Sequence, residues 1–122
     1  MISIDLAKKL KDAGLKPVCT DLELFWLAEV GEVMYAGAGY EPEPEDVWLP
    51  RLDRLLAEIE RRGWEWVFYL DNGKFRKYTL SIDNEDECRY KKFISKSPKP
   101  ENAVGAALLW ILEREKEAEQ NA

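Results

Sequence analysis

The chain reads as an α+β domain: a three-stranded antiparallel meander covered by two helices, with an additional N-terminal helix and β-hairpin. Three observations carry that reading. Residues 50 to 62 repeat apolar side chains with helical spacing, and residues 64 to 70 then switch abruptly to a period of two. A second apolar helix pattern begins after Pro98 and Pro100 and closes the set.

At the start, residues 3 to 13 form a helix with Ser3 as N-cap, Asp5 in the first turn and Leu6, Ala7 and Leu10 on one side; Gly14 stops it. Pro17 marks an extended connection. LELFWLAE and EVMYAG then pair as a hairpin with its turn near Glu29 to Glu32, and GAGYEPEPED follows as an acidic loop. Pro50 is expected in the first turn of the second helix, whose stripe is Leu52, Leu55, Leu56 and Ile59. Glu58 stands four residues before Arg62, and Gly63 ends the helix.

The first meander strand puts Trp64, Trp66, Phe68 and Leu70 on one face and Glu65, Val67 and Tyr69 on the other. Asp71-Asn72-Gly73 has the composition of a tight hairpin turn. The second strand spans 74 to 82 with Tyr78, Leu80 and Ile82 sharing a face, Asp83 to Glu87 is expected to turn, and the third strand spans 88 to 95. The last helix covers 101 to 117, with Val104, Ala107, Leu108 and Ile111 inward. Four successive large apolar residues, Leu109 to Leu112, exceed one stripe, so this helix must touch more than the sheet. Residues 119 to 122 are expected to fray. The helix–Gly–strand joint occurs at Gly14 and again at Gly63, a faint internal echo.

A chain of 122 residues with 46% apolar and 34% charged residues is expected to form one soluble domain, divided as 1–46, 47–118 and a 119–122 tail. No stretch reaches the roughly 20 apolar residues that cross a bilayer, and MISIDLAKKL is not a signal peptide, so the cytoplasm is the expected compartment. Cys19 and Cys88 stand alone, without a disulfide framework or a CxxC motif. The net charge of −6 is unevenly spread: residues 72 to 99 carry +4 and the rest −10, with acidic clusters at Glu41 to Asp46 and Glu113 to Glu119.

Catalytic patterns are absent. There is no histidine, no GxSxG nucleophile context and no separated carboxylate pair; Glu23, Glu29 and Glu32 read as a solvated strand face, and Ser95-Lys96 is an isolated dyad. Asp83 to Glu87 has carboxylates at alternate positions but carries Cys88 where a calcium loop requires glycine. Gly37-Ala38-Gly39 is followed by Pro42 and Pro44 where a dinucleotide-binding helix would begin. No enzyme activity, cofactor or metal is expected.

Two surfaces remain. Trp26, Leu109 and Trp110 are the expected protein-interface anchors, because tryptophan is enriched at binding hot spots. Arg76, Arg89, Lys91 and Lys92, interleaved with Phe75, Tyr90 and Phe93, form the alternative nucleic-acid surface.

WLPRLDRLLAEIERRGWEW, the tryptophan-flanked Asn-Gly hairpin region and AVGAALLWILEREKE resemble small uncharacterised proteins of prophages in Gram-positive bacteria. The order helix, meander, Ala-rich helix over residues 47 to 118 is similar to the phage ABA sandwich domain. That resemblance implies a phage-encoded accessory protein without assigned catalytic residues. The expected function is therefore nonenzymatic and exerted through protein contacts, as a homodimer or with a phage or host protein. The alternatives are nucleic-acid association, and inhibition of a host nuclease by an acidic surface that imitates nucleic acid.

Overall fold

The structure, a computed structural model, describes residues 1–20, 22–37, 41–71, 77–86 and 89–120, with side chains described outside 85–92. It is α+β, with two three-stranded antiparallel sheets. In chain order the elements are α1 (Ile4–Asp12), β1 (Leu24–Leu27), β2 (Glu32–Tyr35), β3 (Val47–Leu49), α2 (Leu52–Arg61), β4 (Glu65–Asp71), β5 (Lys77–Asp86), β6 (Arg89–Ser97) and α3 (Pro100–Gln120).

Helix α1 starts as expected, with the Ser3 hydroxyl accepting from Leu6 N at 3.3 Å. Both α1 and α2 end in the same cap. Leu15 N donates to Leu10 O and Trp64 N to Ile59 O across glycines with positive φ, Gly14 at 102° and Gly63 at 87°. The residues that follow those glycines, Leu15 and Trp64, turn into the core. This shared cap explains the echo in the sequence. The strands that follow do not repeat: β1 is the centre of the order β2-β1-β3, whereas the second sheet is the simple meander β4-β5-β6.

Several boundaries differ from the sequence expectation. The first hairpin is joined by β3, which pairs with β1 through Leu24↔Leu49 and Trp26↔Val47. Three residues between an acidic proline loop and Pro50 are too few to show a period. Pro50 lies outside α2, at the exit of β3, and Arg51 is the N-cap without a side-chain bond. Strand β5 continues through Asp86, so Asp83 to Asp86 belong to a ladder with β6, in the pairs Asp83↔Lys92 and Asp86↔Arg89. Helix α3 runs to Gln120, which makes residues 119 and 120 helical. The Asn72-Gly73 turn and Cys88 lie outside the described residues.

One core joins the layers. Helix α3 lies across β5 and β6 and also packs on α1 and α2, whereas α2 meets the sheet mainly at β4. The covering of the meander is thus mostly by α3. Val104, Ala107, Leu108, Ile111 and Leu112 of α3 meet Leu80 and Ile82 of β5, Leu55 and Ile59 of α2, and Ile2 and Leu10 around α1. Gly105 permits the closest approach: a Cβ there would stand 2.9 Å from Leu6 Cδ2 and 3.0 Å from Ile2 Cδ1. Ser3 N donates to Asn102 Oδ1 at 2.8 Å, and the Ser95 hydroxyl donates to the Ala103 carbonyl, fixing α3 to α1 and to β6.

Candidate protein-interaction surface

The expected anchors are engaged within the chain. Trp110 stacks on Phe93, with centroids 4.9 Å apart and planes at 15°, and meets the edge of Trp64 at 5.4 Å; Arg114 lies over it at 5.1 Å. Leu109 is half-buried against the core. Trp26 is also half-buried, with Lys8 Nζ 4.3 Å from its ring centroid. The flank of α3 beyond its central stripe therefore finds its partners in Trp64 and Phe93.

Of the basic positions, Arg76 lies outside the described residues, as do the side chains of Arg89, Lys91 and Lys92. The β5–β6 register sets Arg89 opposite Asp86, Lys91 opposite Asn84 and Lys92 opposite Asp83.

The carboxylates of the first hairpin do not share one environment. Glu23 is buried, contrary to the solvated face expected from alternation. Its Oε1 accepts from Arg54 Nε at 2.7 Å with Arg51 at 3.6 Å, and Oε2 accepts from Trp48 Nε1 at 3.4 Å. Glu29 and Glu32 are exposed at the other end of the hairpin. Ser95 is buried with its hydroxyl committed to a carbonyl and Lys96 is exposed, so the two do not form a dyad. Among the described residues no group of three or more Cys, Asp or Glu side chains is placed to hold a metal ion, and no helix is long and apolar enough to cross a membrane.

A cleft of about 960 Å³ lies beside the hairpin. The hairpin and its turn supply Leu27, Glu29 and Val30, and the loop after β2 supplies Glu41, Glu43 and Glu45. Among the described residues no lysine or arginine lines it. The loop wall is pinned: Asp46 accepts from Glu43 N at 2.9 Å and from Ala28 N at 3.3 Å, while Lys11 Nζ donates to the Pro44 carbonyl at 2.6 Å and to that of Asp46 at 3.1 Å. An adjoining apolar recess of about 310 Å³ is floored by Phe25 and walled by Pro17, Pro42 and Pro44.

The outer strand of this sheet, β2, is exposed at every position, Glu32 to Tyr35. It is an edge, paired only with β1 through Phe25↔Met34 and Trp26↔Val33. At its open end a bulge sets two residues of one strand against one of the other. Ala36 N donates to Glu23 O at 2.7 Å, and Leu22 N donates to Ala36 O at 3.3 Å. Leu22 has φ 72°, the left-handed conformation that glycine normally supplies at the first position of such a bulge. A leucine there costs about 1–2 kcal/mol, and its side chain is 67% exposed, so burial within the chain does not offset that cost. Sequence reading missed this feature because LELFWLAE carries no glycine or asparagine to mark a bulge.

No protein-family model, curated protein or solved structure matches the chain. The phage-type resemblance thus rests on the sequence pattern of residues 47–118 alone.

Proposed function

We propose that this chain is a nonenzymatic interaction protein, an accessory protein of phage type acting in the cytoplasm, whose contact surface is the β1–β2 hairpin with the acidic cleft beside it. The observation that carries this reading is the run of exposed apolar side chains on one hairpin: Val30, Val33, Met34 and Tyr35. An apolar cluster with a polar rim is the common form of a protein-binding surface. Trp26, on β1, and Leu109 and Trp110, on α3, are engaged in packing within the chain, and homodimerisation through the hairpin is one form the contact takes.

The acidic wall favours partners with basic surfaces, a nuclease whose nucleic-acid site it imitates among them. Association with nucleic acid itself has less support, because the acidic cleft repels phosphate.

The test is affinity capture from host lysate, with and without nuclease, comparing the natural chain with a Val33→Glu/Tyr35→Glu variant. A stoichiometric protein that survives nuclease and is lost with the variant supports the reading. An identical set of partners on both baits removes the hairpin as the contact surface, and loss of every partner on nuclease treatment moves the function to nucleic acid.

A further inference from the structure

We infer that the apolar recess beside the 41–46 loop receives a large apolar side chain of a partner protein, from a segment whose flanking Lys or Arg residues enter the adjoining acidic cleft. The inference rests on the interaction reading above and gives the chemistry of the segment that the partner presents.

The recess exists because one face of the first sheet is roofed by loops. Leu24 and Trp26 of β1 pack on the main core, whereas Phe25 between them takes the opposite face; it is 1% exposed and lies outside that core. Pro17 on one side and Pro42 and Pro44 on the other wall the space above it, with Trp48 of β3 alongside. Proline fixes φ, and the loop is braced by the bonds of Asp46 to Glu43 N and Ala28 N and by those of Lys11 Nζ to the Pro44 and Asp46 carbonyls. A cavity of about 310 Å³ held in this way is preformed, so filling it requires little further ordering of the loop.

Recess and cleft are continuous. Cys19, Pro42, Glu43 and Asp46 border both. An apolar side chain seated over Phe25 therefore leaves its chain neighbours at the rim of the cleft, where Glu29, Glu41, Glu43 and Glu45 are exposed. Among the described residues none of these four carboxylates has a cationic partner, and Lys11, which borders the recess, is held by two carbonyls.

Charge and spacing select the occupant. Among the described residues no three acidic groups are placed to hold one metal ion, so the carboxylates are matched by separate cations. Several cations next to one apolar side chain are what a basic peptide segment supplies and a single amine does not; an acidic segment is repelled.

The experiment uses the whole chain and a blocked, fluorescein-labelled peptide, Ala-Lys-Arg-Phe-Lys-Arg-Ala, with two controls: one with Ser replacing Phe, and one with Gln replacing each Lys and Arg. Anisotropy is read at low salt. The parent peptide is expected to bind about tenfold more tightly than either control. A Glu41→Gln/Glu45→Gln chain, changed at two exposed positions, should lose about tenfold in affinity for the parent peptide and nothing for the Gln peptide. Cys19 is exposed and borders both spaces, so saturating peptide should slow its alkylation by iodoacetamide about fivefold or more, read by mass spectrometry at the Cys19 fragment. Cys19→Trp, which fills the mouth of the recess, should weaken the parent peptide about tenfold with the melting temperature unchanged. Equal binding of the Ser peptide overturns the recess as its seat, and equal binding of the Gln peptide overturns the charge selection. A bound peptide that leaves Cys19 alkylation unchanged overturns the placement. Salt-sensitive self-association that Glu41→Gln/Glu45→Gln abolishes replaces the occupant with the Lys74-Phe75-Arg76-Lys77 stretch of a second copy. If lysate capture depends on Val33 and Tyr35 while no peptide binds, this inference fails and the interaction reading stands. If the peptide protects Cys19 while capture ignores the hairpin variant, the recess stands and the hairpin reading fails; if neither responds, both fail.

Discussion

Arg54 Nε donates to Glu23 Oε1 at 2.7 Å, so a cation on the face of α2 neutralises a carboxylate buried at the start of β1. This pair ties the N-terminal sheet to the α2–β4–β5–β6–α3 unit. The Glu23 side chain is 1% exposed and Arg54 39%, which makes the contact asymmetric. Arg54→Ala leaves a buried charge with only the 3.6 Å approach of Arg51 and the Trp48 indole, and should lower unfolding free energy by about 2–3 kcal/mol in urea titrations. Glu23→Gln, which keeps an acceptor for Trp48 and removes the charge, should cost less. An equal loss for the two would show that charge is not what the site requires.

At Gly105 two effects oppose each other. Alanine gains about 1 kcal/mol of helix propensity but meets Leu6 Cδ2 at 2.9 Å. Gly105→Ala alone should therefore stay within about 1 kcal/mol of the natural chain, whereas Gly105→Leu should cost roughly 2 kcal/mol or more through overpacking. In a Leu6→Ala background Gly105→Ala should become stabilising, and a double-mutant cycle reads that coupling directly.

Trp110 is a structural side chain between Phe93 and Trp64. Trp110→Ala should lower stability by about 3 kcal/mol, and Trp110→Phe by clearly less, with the sedimenting mass unchanged in both. A change of mass without a change of stability would return Trp110 to an interface.

Glu58 predicts an acid limb. Hydrogen bonding to Arg61, ahead of the opposing effect of burial, holds its carboxyl below the ordinary glutamate value, and Arg62 adds to the effect. A carboxyl lowered in the folded state contributes stability that is fully present above the unfolded value of about 4.3 and is lost as pH falls through the folded one. The natural chain should lose more stability than Glu58→Gln over that interval, and the two curves should run parallel above about pH 6.

Much of the second half of the chain was legible because local signals there agree with the packing. The stripe Leu52, Leu55, Leu56 and Ile59 does form the buried side of α2, and the alternation from Trp64 onward does separate the faces of β4. The rest depends on neighbours distant in sequence. Strand β3 is only three residues long and exists because β1 offers a free side. Glu23 looks solvated in its own strand; Arg51 and Arg54, which make its burial tolerable, lie about thirty residues away. Trp110 was marked as surplus to one helical stripe, but the ring that receives it belongs to β6. The strained conformation of Leu22 leaves no trace in residue type at all.

Because α3 covers β5 and β6 and follows them in the chain, synthesis produces those two strands before the helix that buries them. Until residues 100–112 have left the ribosome, Leu80, Ile82, Leu55 and Ile59 lack their main covering, and α1 has no Gly105 to settle against. Until then the nascent meander presents an uncovered apolar face, the condition in which chaperones bind and chains aggregate. Final collapse waits for that single helix.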